Sequence, residues 1–288
     1  MLNRKLVVTV SALMLALGSL SGYADAKLKK VTGLKTPESA VVGPDGRIYV
    51  SEINEFGKDG DGQISVIGAD GKAKPYATGM DDPKGLVFSK GVLYVADKTR
   101  ILKVGKGGKW SVFVAAEAFP VKPQFLNDLE ADGEGSIYVS DTGNIKENTG
   151  QGAVYRIAKD GKPTVVVNAV KDKRVVGPNG LLMDGKDKIL MLDFLTGTLY
   201  RITIKTGVME KVAEGFGGAD GIVRTTDGTL YISDWATGRV FSLAKDGAIK
   251  LVSADFQSAA DIGLASGGKA LLVPDMKAGE LVFLPVGK

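Results

Sequence analysis

The stretch "GTLYISD" (Gly228 to Asp234) sets a glycine before alternating apolar and polar residues and closes on an acid. Alternation of that period is the mark of a half-buried β-strand. The same order returns in "GRIYVSE" (Gly46 to Glu52), "GVLYVAD" (Gly91 to Asp97) and "GSIYVSD" (Gly135 to Asp141). Two looser copies, "DKILMLD" (Asp187 to Asp193) and "GKALLVPD" (Gly268 to Asp275), make a set of six. Their closing acids fall at 52, 97, 141, 193, 234 and 275, at intervals of 45, 44, 52, 41 and 41.

Each copy follows a short apolar segment and a Gly or Asp turn. A third alternating run comes next, such as "AVYRIAK" or "RVFSLAK", and then a fourth, such as "WSVFVA" or "PTVVVN". Four strands per repeat at a period of 40 to 50 residues predict an all-β fold, a six-bladed β-propeller with four-stranded blades. The last repeat has three runs after Ser258. Its fourth is expected from "KLKKVTG" (Lys27 to Gly33), so that the N-terminal strand joins the last blade and removes the free edge of the ring. Residues 27–288 therefore read as one domain, because a division into two would break that closure.

The first 26 residues carry a basic end (Arg4, Lys5), an apolar stretch to about Leu20 and Ala24-Asp25-Ala26 as a small-x-small cleavage site. They read as a secretory signal peptide, with an uncleaved membrane anchor as the alternative, and imply a periplasmic or secreted protein. Removing them takes away Arg4, Lys5 and Asp25 and lowers the formal charge from +4 to +3. Nothing in so small and dispersed a charge calls for nucleic acid. Cysteine and histidine are both absent. Disulfides, thiolate catalysis, Cys-ligated zinc, imidazole ligands and Ser-His-acid triads are thereby excluded, which leaves carboxylates, Lys, Tyr, hydroxyls and oxygen-bound metals.

Fourteen residues before each closing acid, thirteen in the second repeat, stand Glu38, Lys84, Asn127, Asn179, Asp220 and Asp261. These open the innermost strands, which line the channel of a propeller, so the six are expected to ring one mouth. One reading is a water-filled channel with polar walls. The sharper reading has Glu38, Asn127, Asn179 and Asp220 holding a divalent metal. Two carboxylates and two amide carbonyls suit a hard cation, Ca2+ before Mg2+.

The motifs "PESAVVGPDGRIYVSEI", "LNDLEADGEGSIYVSD", "PNGLLMDGKDKILMLD" and "ADGIVRTTDGTLYISDW", in this order, resemble the senescence-marker-protein, gluconolactonase and luciferin-regenerating-enzyme family. Its members are six-bladed propellers related to the diisopropyl fluorophosphatases and, more distantly, the paraoxonases. The resemblance implies a catalytic divalent metal at Glu38, Asn127, Asn179 and Asp220. It also implies hydrolysis of lactones or related esters, with Asp220 as base or nucleophile. Glu38 and Asp261 are further candidates for the base, and Asn127, Lys84 and Phe125 for substrate binding. Phe125 stands where gluconolactonase-type members often carry an Arg that grips sugar hydroxyls, which speaks against a polyhydroxylated substrate. The histidine pair of the paraoxonases has no counterpart. Lys84 is expected either to orient a substrate carboxylate or phosphoryl oxygen or to form a salt bridge with Asp261 or a neighbouring acid.

The six closing acids read as structural turn residues. "GKDGDGQ" (Gly57 to Gln63) lacks the terminal Glu of an EF-hand and reads as a hairpin loop. "DTGNIKENTGQG" (Asp141 to Gly152) is expected as a surface loop or a lid over the mouth. Trp110 and Trp235 read as blade packing. A small-molecule substrate and a monomer are expected, against the alternative of a non-catalytic propeller that binds a ligand and keeps a structural channel metal.

Overall fold

The computed structural model describes residues 28–145, 147 and 151–287, so the signal peptide expected at 1–26 lies outside the described residues. Six antiparallel four-stranded sheets follow one another along the chain. The fourth is representative, running Pro178–Met183, Lys188–Asp193, Thr198–Thr203 and Met209–Glu214 from the axis outward. Its second strand is the motif strand, and the same holds in every blade. The sixth sheet contains Gly263–Leu264, Ala270–Asp275, Glu280–Pro285 and, as its outermost strand, Lys30–Thr32. Lys30 pairs with Val282 and Thr32 with Glu280, so the chain ends close the ring together as the repeat count requires. Among the described residues no helix is long and apolar enough to cross a membrane.

The core lies between blades. Ala96 and Ile101 of the second blade pack with Leu129, Ile137 and Tyr155 of the third, and Tyr138 and Val154 of the third with Ile189, Met191 and Ile202 of the fourth. Each motif strand is apolar on both faces for that reason, since a sheet lies on either side of it.

The motif acids act as clasps. Asp193 Oδ2 accepts the N–H of Val176 (2.9 Å) and Gly177 (2.8 Å), in the loop that leads into its own blade's innermost strand. Asp141 accepts from Gln124 and Phe125, Asp275 from Gln257 and Ser258, Asp234 from Gly218, Asp97 from Asp81 and Glu52 from Lys35. The residue after each acid returns a bond to the same loop: Phe194 N–H donates to Gly177 O at 2.7 Å and Trp235 N–H to Gly218 O at 2.9 Å. These acids are structural, as expected, and all six are buried.

The motif serine has its own partner. Pro37, Leu126 and Ala219 pair with the closing acids, and the register then slips before Ala40, Leu129 and Ile222. The slip is a bulge, which re-aims side chains at the axis. It leaves the N–H of Ser39, Asp128 and Gly221 without a ladder partner, and Ser51, Ser140 and Ser233 Oγ accept them at 2.9, 2.9 and 2.8 Å. Glycine is required beside the bulge where blades nearly touch, since a Cβ on Gly180 would lie 2.2 Å from Asp220 O.

Replacing Asp193 by Ala strands the Val176 and Gly177 N–H groups and removes two further bonds, from the Thr196 N–H and hydroxyl. A loss of about 3 kcal/mol is expected. Urea denaturation of the whole chain measures it, and a loss under about 0.5 kcal/mol would mean that the clasp is dispensable.

Candidate functional site

Five of the six ring residues meet at one mouth of the channel. Glu38, Lys84, Asn127, Asn179 and Asp220 line a cavity of about 360 Å³. All five are buried, none exposing more than 6% of its surface. Each opens an innermost strand one residue after the position paired with the closing acid, inside the bulge. Asp261 shares the spacing and not the location. It is absent from the cavity wall, and its Oδ2 accepts the Ser39 hydroxyl at 2.5 Å across the seam between the sixth and first blades.

The two amides are held so that their carbonyls stay bare. Thr142 Oγ1 donates to Pro178 O (2.8 Å), so it must accept from Asn127 Nδ2 (3.1 Å), and that fixes which end of the amide faces the cavity. Asn179 Nδ2 donates to Asp220 Oδ1 at 3.0 Å. Asn127 Oδ1, Asn179 Oδ1 and Glu38 Oε2 are left buried with no hydrogen-bond partner. Three such oxygens on one cavity are anomalous, because buried acceptors are normally satisfied.

The electrostatics agree. Burial pushes the Glu38 carboxyl well above the usual range, and the charges of Asp220 and Asp261 add to the shift. Asp220 is raised in the same way, by burial and then by Asp261. Lys84 opposes part of the Glu38 shift, and a divalent ion among these oxygens would favour the ionised form of both carboxyls. Among the described residues no group of three or more His, Cys, Asp or Glu is placed to hold a metal ion. The donor set here is of another kind, two carboxylates and two amides, which is the oxygen chemistry of a hard cation.

Lys84 is the cation of the ring. Its Nζ donates to Asp82 O at 3.2 Å and lies 4.1 Å from the centre of the Phe125 ring. Among the described residues it forms no salt bridge, so the expected pairing with Asp261 is not found. Burial lowers its pKa, and the nearby Glu38 charge opposes that shift.

The remaining wall was largely missed from the sequence. It is made by Ile53, Phe56, Phe125, Ile145, Phe194, Trp235 and Met276. Trp235, expected as blade packing, faces the cavity with its ring 6.0 Å from that of Phe194. Trp110 stays on an outer strand, against Arg100. Phe56 comes from the loop that contains "GKDGDGQ", which does join two hairpin strands, and Ile145 from the long excursion after Asp141. One signal would have found most of them. Ile53, Thr142, Phe194, Trp235 and Met276 each follow a closing acid directly.

The architecture is that of a six-bladed β-propeller, with an oxygen-lined site at the axis and an apolar vestibule above it. The chain belongs to the SMP-30/Gluconolactonase/LRE-like family, whose model matches residues 80–257. That span contains Asn127, Asn179 and Asp220, whereas Glu38 precedes it and is brought to the site by the fold. Protein Strictosidine Synthase-Like 3 of Arabidopsis thaliana is 30% identical over 181 residues, 56% of this chain and 44% of that protein, so the chain spans less than half of this curated relative. Among solved structures, the fold resembles a gluconolactonase from Xanthomonas campestris, with a TM-score of 0.73, 15% identity and 89% and 88% of the two chains covered. It also resembles a catalytically inactive virginiamycin B lyase from Staphylococcus aureus with quinupristin, with a TM-score of 0.60, 16% identity and 91% and 99% covered.

Below the ring, burial also holds Glu130 up at about 8 and Asp261 at about 7. Their folded-state pKa values exceed the unfolded ones, so they favour the fold at low pH and cease to do so as pH rises through 7 to 8. In chelator, stability should therefore decline from about pH 5 to pH 8, and Glu130→Gln should lessen the decline. Thermal denaturation across that range checks it; a wild-type curve that rises, or an unchanged slope in the variant, would contradict the assignment.

Proposed function

We propose that the chain is a divalent-cation-dependent hydrolase of lactones or related esters, with calcium as the ion. One observation carries the reading: Glu38 Oε2, Asn127 Oδ1 and Asn179 Oδ1 are buried, bare and aimed into one cavity beside Asp220. Glu38, Asn127, Asn179 and Asp220 would hold the cation through oxygen, with water or substrate completing its shell. Bound there, the ion supplies a Lewis acid that polarises the substrate carbonyl and favours the charge of the tetrahedral transition state.

The chain's own groups do the rest. Asp220, anionic once the cation offsets its neighbours, takes the proton of the attacking water, and Asn179 Nδ2 holds its Oδ1 in place. Glu38 is the second candidate for that proton. Asp261 is a weaker one, since it points at Ser39 rather than into the cavity. Lys84 brings an ammonium with donors to spare to the same floor, where a carbonyl oxygen gaining charge, or the product carboxylate, can accept from it. Thr142 serves indirectly, by fixing the Asn127 amide.

Three measurements test this. A panel of lactones, aryl esters and phosphotriesters assayed with and without calcium should show hydrolysis that chelator abolishes and calcium restores. Asp220→Asn should reduce kcat at least about 100-fold in a protein that remains folded. Thr142→Val, which frees the Asn127 amide to turn, should weaken calcium binding by about 10- to 100-fold in calorimetry. A chain that binds calcium and ligand yet hydrolyses none of the panel would instead be a propeller binding module.

A further inference from the structure

The wall above the ring names the substrate more closely. Seven of its residues are apolar: Ile53, Phe56, Phe125, Ile145, Phe194, Trp235 and Met276. The polar atoms that accompany them are already committed. Trp235 Nε1 lies 3.2 Å from Met276 Sδ, to which it donates, and the Thr142 hydroxyl joins Pro178 O to the Asn127 amide. The groups still free to interact, Lys84 as a donor and the oxygens of Glu38, Asn127, Asn179 and Asp220 as acceptors, lie at the floor, where one carbonyl and one water engage them. Ile53 and Met276 pack on Ala260 with Trp235 against them, so this part of the wall is a continuation of a packed cluster and is not free to turn a polar group inward.

From this we infer that the cavity takes a lactone or ester with an apolar body, an alkyl chain or an aryl ring, and discriminates against polyhydroxylated sugar lactones; the inference rests on the hydrolase reading above. A sugar lactone would bring hydroxyls against Phe125, Phe194 and Trp235, where each loses its water and gains no partner, and such unpaired groups are strongly rejected. An alkyl or aryl body loses nothing there and removes its own apolar surface from water. The size fits as well, since about 360 Å³ falls in the range of pockets that enclose small organic ligands. Phe194 and Trp235 pack on each other, ring centroids 6.0 Å apart and planes tilted at 56°, and present a continuous aromatic surface on which a chain or ring can lie.

The experiment has a kinetic arm and a binding arm. In the first, kcat/KM with calcium is measured for δ-lactones bearing methyl to hexyl chains, for dihydrocoumarin and for glucono-δ-lactone. Values should rise roughly three- to fourfold per methylene until the cavity is filled, and the sugar lactone should lie at least about 100-fold below the hexyl compound. In the second arm, calorimetry follows 2-alkylcyclohexanones, which cannot be hydrolysed, on wild type, Phe194→Ala and Trp235→Ala. Affinity should climb with chain length in the wild type, and both variants should flatten that slope. A sugar lactone turned over as well as the hexyl compound, or ketone affinity independent of chain length, overturns the inference. If no lactone is hydrolysed, the hydrolase reading falls by itself, and the ketone series still decides what the wall accepts: a steep slope supports the apolar ligand and a flat one removes it.

Discussion

A buried carboxylate that accepts backbone N–H groups from the loop before its own blade is the interaction on which the rest of the molecule depends. It appears six times, at Glu52, Asp97, Asp141, Asp193, Asp234 and Asp275. Burying an acid is unfavourable by several kcal/mol unless its lone pairs are filled. Charge-assisted bonds offset that, from two loop amides at Asp141, Asp193 and Asp275 and from one loop amide with side-chain donors at Glu52 and Asp97, and they are available only where the chain is folded so. The clasp therefore holds the second strand of each blade to the loop that introduces the first. It fixes the position from which the innermost strand starts, and with it the place of the ring residue.

Two rings follow from one clasp. The residue just inside the bulge is turned to the axis, because the ladder is interrupted there and a motif serine takes the orphaned N–H in three of the blades. The residue after the acid is held over the mouth by its backbone, as Phe194 and Trp235 show through their N–H bonds to Gly177 O and Gly218 O. Neither side chain is needed for these backbone bonds. The repeat thus supplies positions whose geometry is set by the main chain and whose chemistry is open, and both layers of the site occupy such positions.

The fold and the floor of the site were legible in the sequence, because strand pairing converts a spacing into a location. Counting back from the acid crosses one hairpin, so equal counts mean equal depth. The single count of thirteen, at Lys84, arises where Ser89 pairs with Val92 across the two-residue turn of Lys90 and Gly91, both at positive φ. Counting failed at Asp261, whose innermost strand is reduced to Gly263–Leu264 and whose carboxylate finds Ser39 across the ring closure. That partner lies 222 positions away, a distance no local pattern conveys. The apolar wall escaped for another reason. Trp235 and Phe194 look like packing residues in a strand-rich sequence, and only the regularity of their position after the acid distinguishes them.

The cost of the arrangement is concentrated at the axis. Glu38 and Asp220 are buried, crowded and shifted upward, while the polar groups around them, Thr142, Asn179 Nδ2 and the Pro178 carbonyl, are paired. Of the six buried side-chain oxygens without a partner among the described residues, three meet at this one point, where one ion can satisfy all three. Local rules are broken most often where a site must bind something. The apolar wall makes the same point from the opposite side. A ligand body seated on it would exclude water above the ring and strengthen the field at the floor, so that the features that disfavour the empty site are those that would favour an occupied one.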